Sequence, residues 1–290
     1  MRTLKGKVAV VTGAGSGIGR ALAQELARRD MIVALADRDE AGLRETAALL
    51  GEARTSRHVV DVSDEAAVRA FAADVLREHG GVALLVNNAG VAMFGTFEQL
   101  ELDEIAWMMN VNFWGVVHGC KAFLATLQAQ EEACIVNVSS LFGLWGPPGQ
   151  SAYAASKFAV RGFSESLRAE LAASGNVHVV TVHPGGIRTA IARTARVARA
   201  VDAKKAAAMT RRFDERFLTT PPELLAQAIV DAVVRRRDRV VLGKDARRVD
   251  LLVRLFPSAA PRWFNRHATA RAAPTAASAR RAGPGTTDLP

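Results

Sequence analysis

One tyrosine, two cysteines and no long apolar run occur in 290 residues, and each scarcity excludes something. No stretch reaches the 18 or so consecutive apolar residues of a membrane span. The first apolar run, Val8 to Val11, is too short for a signal-peptide core and reads as a β-strand. Cys120 and Cys134 lie on separate apolar segments without metal-ligand spacing. They argue against a disulfide framework or a metal site and for buried thiols in a reducing, cytoplasmic setting. Internal repeats are absent. Acidic residues are scarce only at the end: residues 1–187 hold 16 Lys/Arg against 20 Asp/Glu, and residues 188–290 hold 22 against 9. The basic excess therefore belongs to the last third. No recognisable nucleic-acid reading module accompanies it, so no nucleic-acid partner is expected.

What the chain does have is alternation. Strand-like runs at Val8–Thr12, Ile32–Ala36, Ser56–Val60, Ala83–Asn87, Cys134–Val138 and Val177–His183 alternate with helical patterns at Ile18–Arg29, Ala41–Leu50, Glu65–His79, Leu102–Gln128 and Tyr153–Ala173. A helix at Pro222–Arg235 and a strand at Arg239–Leu242 close the series. This order predicts an α/β fold, a doubly wound (Rossmann) parallel sheet of seven strands with right-handed crossovers. The predicted domain covers 1–245, with residues 188–220 as an inserted helical flap. From about Ala268 the chain is Ala, Arg, Pro, Ser, Thr and Gly, and 268–290 is expected to be disordered.

The lone Tyr153 precedes Lys157 by four residues at the start of a helical pattern. That spacing sets phenol and ammonium one turn apart on the same face. A nearby cation favours the phenolate, and a phenol tuned towards the working pH can exchange a proton with an alcohol or a carbonyl. After the first strand comes TGAGSGIG, Thr12 to Gly19, followed at once by a helix. Glycines at 13, 17 and 19 let the backbone turn tightly, and the N–H groups of Gly13, Ser16, Gly17, Ile18 and Gly19 can meet a pyrophosphate at the helix N-terminus. The spacing departs from G-x-G-x-x-G, so the turn is informative through its position between a first strand and a first helix. Asp37 ends the second strand, where a carboxylate accepts from both ribose hydroxyls and repels a 2′-phosphate. This favours NAD over NADP, although Arg38 follows directly and can hold a 2′-phosphate.

Taken with Asp61-Val62, NNAG at 87–90, Asn112 in V-N-F-W-G, Ser140 in N-V-S-S, YAASK at 153–157 and His183-Pro184-Gly185, the chain resembles the short-chain dehydrogenase/reductase family over about Lys5 to Val241. The resemblance implies a catalytic tetrad. Tyr153 would be the acid/base, Lys157 would lower its pKa and bind the nicotinamide ribose, Ser140 would hold the substrate oxygen, and Asn112 would anchor a proton-relaying water. Asp61 and Val62 would flank the adenine. Asn87, Asn88, Ala89 and Gly90 would line the cofactor cleft, and Pro184, Gly185 and Thr189 would meet the nicotinamide carboxamide. His183 reads as a packed histidine.

The expected function is interconversion of an alcohol and a ketone or aldehyde with NAD or NADP, by a homodimer or homotetramer. Phe94, Leu141, Phe142, Leu144, Trp145, Pro147 and Pro148 suggest an apolar small-molecule substrate. The basic flap raises reduction of a β-ketoacyl thioester with NADPH as an alternative, and a non-catalytic nucleotide-sensing protein is another. Residues 246–267 mix basic and large apolar side chains. They read first as a cover for the pocket or a subunit contact, and second as an amphipathic segment touching a membrane surface.

Overall fold

The computed structural model describes residues 1, 3–51, 54–191, 193–202, 211 and 218–272, with side chains as far as 266. Seven strands form one parallel sheet: β1 (Val8–Thr12), β2 (Ile32–Asp37), β3 (Thr55–Val59), β4 (Leu84–Asn87), β6 (Ala133–Val138), β7 (Val177–Pro184) and β9 (Arg239–Leu242), in the order β3-β2-β1-β4-β6-β7-β9. Two-residue β5 (Met93–Phe94) and β8 (Arg196–Val197) pair separately, in parallel. The central strands are almost wholly apolar because helices cover both faces; β1 (VAVVT), β4 and β6 are buried along their whole length.

On one face α1 (Gly17–Arg28), α2 (Glu40–Leu50) and α7 (Pro222–Val234) bury Leu22, Leu26, Leu43, Leu225 and Ile229 against the sheet. On the other, α3 (Glu65–His79), α5 (Gly115–Gln128) and α6 (Ser151–Leu171) bury Phe71, Phe123, Leu127, Val160 and Leu167. The direction of winding reverses between β1 and β4, which opens a crevice at the C-terminal ends of those strands.

Three expectations need correction. The helix expected over 102–128 is α4 (Leu102–Met109), a π-turn at Asn110–Trp114, and α5. The apolar period runs through all three pieces, so the sequence pattern does not register the bulge. Within the flap, residues 188–191 and 193–202 form turns and β8 rather than a helix, held by backbone bonds from Arg196 N to Ala92 O and from Ala198 N to Phe94 O. Most of the expected flap helix (203–210 and 212–217) lies outside the described residues. Finally, the segment after β9 forms two helices, α8 (Lys244–Leu255) and α9 (Ala259–Ala272). α9 therefore enters the stretch expected to be disordered, because its one proline, Pro261, stands in the first turn, where it is tolerated, and no further proline follows before Pro274; the rest of that stretch, 273–290, lies outside the described residues.

Candidate active site

The glycine-rich turn is built on close backbone approach. Gly13 and Gly17 have φ of +67° and +52°, a region that side chains with a Cβ avoid. A Cβ on Gly19 would lie 2.0 Å from the Gly13 carbonyl oxygen. α1 starts with Ser16 as an extended N-cap that makes no side-chain cap, and no acidic residue stands in its first turn. Its N-terminal dipole thus faces the crevice with no carboxylate of its own first turn to oppose an anion. Ile18 turns inward onto the core. Gly15, which the spacing did not single out, donates its N–H to Asp37 Oδ2 at 2.9 Å, while Asp37 Oδ1 accepts from Asp39 N at 3.0 Å. The carboxylate is thereby fixed at the crevice edge, with Arg38 exposed beside it.

The NNAG residues divide their work. Asn88 Nδ2 donates to Thr12 O at 2.9 Å and Gly13 O at 3.3 Å, while Thr12 Oγ1 accepts from Asn88 N at 3.0 Å and Ala89 N at 3.1 Å. Asn88 thus ties the end of β4 to the turn. Asn87 does not line the cleft: it is buried and donates to Asn137 Oδ1 at 2.9 Å and to Cys120 Sγ at 3.3 Å. Strand alternation points it into the layer beneath. A Cβ on Gly90 would stand 3.2 Å from Asn112 Oδ1 and 3.4 Å from Lys157 Nζ. Asp61 is exposed and its Oδ1 accepts from Ser63 N and Oγ at 2.9 and 2.7 Å. Val62 wedges against Gly115, and its carbonyl accepts from His118 Nδ1 at 3.0 Å.

Three elements, the π-turn, the end of β6 and α6, bring Asn112, Ser140, Tyr153 and Lys157 together. Ser139 and Ser140 follow β6 and alternate in direction. Ser139 is buried and donates to Lys157 O at 2.8 Å, whereas Ser140 accepts from Phe142 N at 3.1 Å and its hydroxyl lies on the side of the Tyr153 phenol. Lys157 Nζ is buried, donates to Val138 O at 3.0 Å and lies 5.9 Å from the centre of the Tyr153 ring. Asn112 sits in the π-turn, a bulge common at functional sites. Its Oδ1 accepts from Val91 N at 2.8 Å, and its Nδ2 reaches Val91 O at 3.0 Å and Ser156 Oγ at 3.1 Å.

The electrostatics differ from expectation. Burial raises the Tyr153 phenol above its ordinary value, and the Ser140 hydroxyl only partly offsets this. Burial also lowers Lys157 to about 8. The lysine's proximity does not by itself bring the phenol into the neutral range. His183 is packed, as expected: it is wholly buried, donates from Nδ1 to Ser140 O at 3.1 Å, and burial lowers it to about 4. Cys120 and Cys134 are buried free thiols pushed up to about 12.

At the end of β7, Pro184 leads into Gly185, where a Cβ would lie 2.2 Å from Asp245 Oδ1, and Gly186 N donates to Asp245 Oδ2 at 3.0 Å. Asp245 comes from α8, and no sequence signal marks it. Thr189 leans over the turn, its Cγ2 3.1 Å from where a Cβ on Gly17 would be. Opposite, an aromatic series leads away from Tyr153. Phe142 meets it edge-on at 6.1 Å, Trp145 meets Phe142 at 5.9 Å, and Phe264 of α9 meets Trp145 at 5.2 Å. Trp145 Nε1 donates to Asn265 Oδ1 at 3.1 Å. Phe94 and Leu144 are buried. Among the described residues no group of three or more His, Cys, Asp or Glu is placed to hold a metal ion.

A Gly-lined turn against a helix N-terminus, a fixed carboxylate at the end of β2 and a phenol–ammonium pair across the crevice fit a dinucleotide with a reactive ring. Comparison with known proteins agrees. Residues 7–200 match the family described as short chain dehydrogenase. The chain is 47% identical over 262 residues to the oxidoreductase SadH of Mycobacterium tuberculosis, covering 89% of this chain and 94% of that protein. It superposes with a TM-score of 0.76 on a short-chain dehydrogenase/reductase from Burkholderia phymatum in complex with NAD, at 35% identity over 83% of this chain and 90% of the other. It also superposes with a TM-score of 0.68 on an alcohol dehydrogenase from Thermococcus sibiricus complexed with 5-hydroxy-NADP, at 28% identity over 81% and 94%.

Proposed function

The chain belongs to the short-chain dehydrogenase family, an oxidoreductase with a nicotinamide cofactor, and from that membership we propose that it interconverts an apolar alcohol with its ketone or aldehyde, with Tyr153 as the acid/base. The reading rests on one juxtaposition: the Lys157 ammonium held on Val138 O, 5.9 Å from the centre of the Tyr153 ring, with the Ser140 hydroxyl on the side of the phenol.

The nicotinamide, when bound, supplies the acceptor or donor of hydride. In oxidation the Tyr153 phenolate takes the alcohol proton as hydride leaves the carbinol carbon; in reduction the phenol returns a proton to the carbonyl oxygen. Ser140 donates to that oxygen and keeps it within reach of Tyr153. Lys157, with a pKa lowered to about 8, is cationic at neutral pH and favours the phenolate. Burial works against the phenolate, so oxidation gains from rising pH and reduction from falling pH. Asn112 takes the family's role of holding a water that passes protons to Lys157. Its bonds to Val91 fix it beside Gly90, close to the ammonium.

Asp37, held by Gly15 at the crevice edge, supports NAD, and the NAD complex of the Burkholderia phymatum relative is consistent with that choice. The wall of Phe142, Trp145 and Phe264 supports an apolar substrate. An anionic thioester is less well served, because Arg196 stacks over the Trp107 ring at 3.9 Å and Arg199 pairs with Asp103 and Glu104. Exposed Trp114 and Phe158, at the π-turn and on α6, give a homo-oligomer an apolar contact face, and the expected compartment is the cytoplasm.

The test follows NADH and NADPH oxidation in parallel against medium-chain aldehydes, ketones and one β-ketoacyl thioester. Turnover with NADH on apolar carbonyls supports the proposal. NADPH preference with saturation by the thioester moves the function to acyl-chain reduction. Binding of either cofactor with no turnover on any substrate favours a nucleotide-sensing role.

A further inference from the structure

The two helices after β9 have unlike faces. Ala246 and Val249 of α8 are buried, while Leu251, Leu255 and Phe256 are 58%, 61% and 56% exposed, and Trp263 of α9 is 55% exposed. Large side chains so placed on a surface mark an interaction site when they cluster. The stretch 244–266 also holds six Lys/Arg against two Asp, and both carboxylates are engaged by the protein. Asp245 accepts from Gly186 N at 3.0 Å, and Asp250 holds Arg239 by bonds of 2.7 and 3.1 Å. Arg247, Arg248, Arg254, Arg262 and Arg266 are exposed, Arg254 with its Nε also 3.2 Å from Asp250 Oδ1. The outward surface therefore alternates apolar side chains with cations.

Two further observations define this surface. Leu251 lies on the same helical stripe as Arg247 and Arg254, and those two arginines form one wall of a groove of about 470 Å³ whose other walls include Arg237, Arg239 and Asp231. The groove carries more positive than negative side chains and adjoins the apolar stripe. The inner side of α9 is fixed by Phe264 and Asn265 on Trp145, which sets the face of α9 that looks outward.

We propose that α8 and α9 dock the protein on an anionic membrane surface, with Leu255, Phe256 and Trp263 at the level of the head groups and the neighbouring arginines on lipid phosphates. Helices of this type lie in the interface plane, and each basic residue near an anionic leaflet adds to the attraction. A second copy fits the face poorly, because a two-fold contact would set the same arginines against one another. No helix among the described residues is long and apolar enough to cross a membrane, so the contact is peripheral. It does not depend on which reaction the crevice performs.

The test sediments the full chain with vesicles of phosphatidylcholine alone and with vesicles containing about one-third phosphatidylglycerol. The proposal expects at least about tenfold stronger binding to the anionic vesicles, weakening as salt rises. A Leu255→Asp/Phe256→Asp double variant should lose about tenfold or more of that binding with its melting temperature nearly unchanged, since both residues are exposed. Arg247→Gln/Arg248→Gln should weaken binding and flatten its salt dependence. Failure to sediment with anionic vesicles overturns the proposal. So does equal sedimentation of wild type and L255D/F256D, which would mean unspecific attraction by the basic last third. A fall in solution mass for that variant without vesicle binding assigns the face to a second copy and likewise overturns the proposal.

Discussion

At the nucleotide end of the crevice the chain relies on backbone. Gly13, Gly15, Gly17 and Gly19 stand within a few residues of one another, and the groups they approach are mostly main-chain atoms and the fixed carboxylate of Asp37. At the substrate end it relies on side chains from distant segments: Ser140 and Phe142 after β6, Tyr153 and Lys157 on α6, and Phe264 and Asn265 on α9. A dinucleotide is large and constant, so a local turn that presents N–H groups suffices. A substrate varies between relatives, and side chains on separate elements change without disturbing the sheet. The nucleotide end is therefore expected to fail through sterics and the substrate end through chemistry.

The largest effect that sharpens this contrast is at Tyr153. Tyr153→Phe should lower turnover by about 10²- to 10⁴-fold, the usual contribution of a positioned acid/base, while NADH binding by fluorescence titration stays close to wild type. Loss of both would mean the two ends are not separable. At the other end, Gly19→Ala forces a methyl against the Gly13 carbonyl. It should destabilise by about 1–3 kcal/mol, the cost of overpacking, and weaken NADH binding at least about tenfold; thermal melts with and without NADH measure both.

A third prediction concerns the joint between the ends. His183 is bonded to the Ser140 carbonyl and lowered to about 4 in the folded protein. The unfolded chain, with an ordinary histidine near ~6.5, binds more protons across that window. Stability therefore rises with pH from about 4 to about 6.5 and is lost as pH falls through it, by on the order of 3 kcal/mol in total. Urea unfolding of wild type and His183→Gln at pH 6.5 and 4.5 checks this: the variant should lose much of the acid sensitivity, and equal slopes would discard the assignment. The smallest effect is expected at Trp145. Trp145→Ala removes the ring between Phe142 and Phe264 and should raise KM for long apolar carbonyls about three- to tenfold, about 0.6–1.4 kcal/mol of apolar contact. Turnover of a short aldehyde should change little, and steady-state kinetics on a chain-length series reads the split.

Much of the fold was legible because its signals are local. Val8–Thr12, Glu65–His79 and Arg239–Leu242 occupy the residues that the apolar period assigns them. The π-turn around Asn112 was not legible, since a one-residue bulge leaves the apolar period nearly intact. Asn87 and Asn88 are identical as letters; only strand alternation against α5 and β6 sends one into the core and the other onto the glycine-rich turn. β5 and β8 are too short to carry a pattern, and their pairing converts part of the expected helical flap into extended chain.

The sequence by itself determined the alternating strands and helices, the glycine-rich turn and the Tyr153–Lys157 pair, because glycine spacing, apolar period and a four-residue offset act within a few residues of chain. The tertiary structure decided the rest. It set Ser140 rather than Ser139 against the phenol, brought Asp245 to the Gly185–Gly186 backbone, and raised the phenol that the sequence pattern suggested would be lowered. Side-chain direction at a strand end, contact across 60 residues of chain and desolvation all depend on which elements pack together, and no local pattern encodes that.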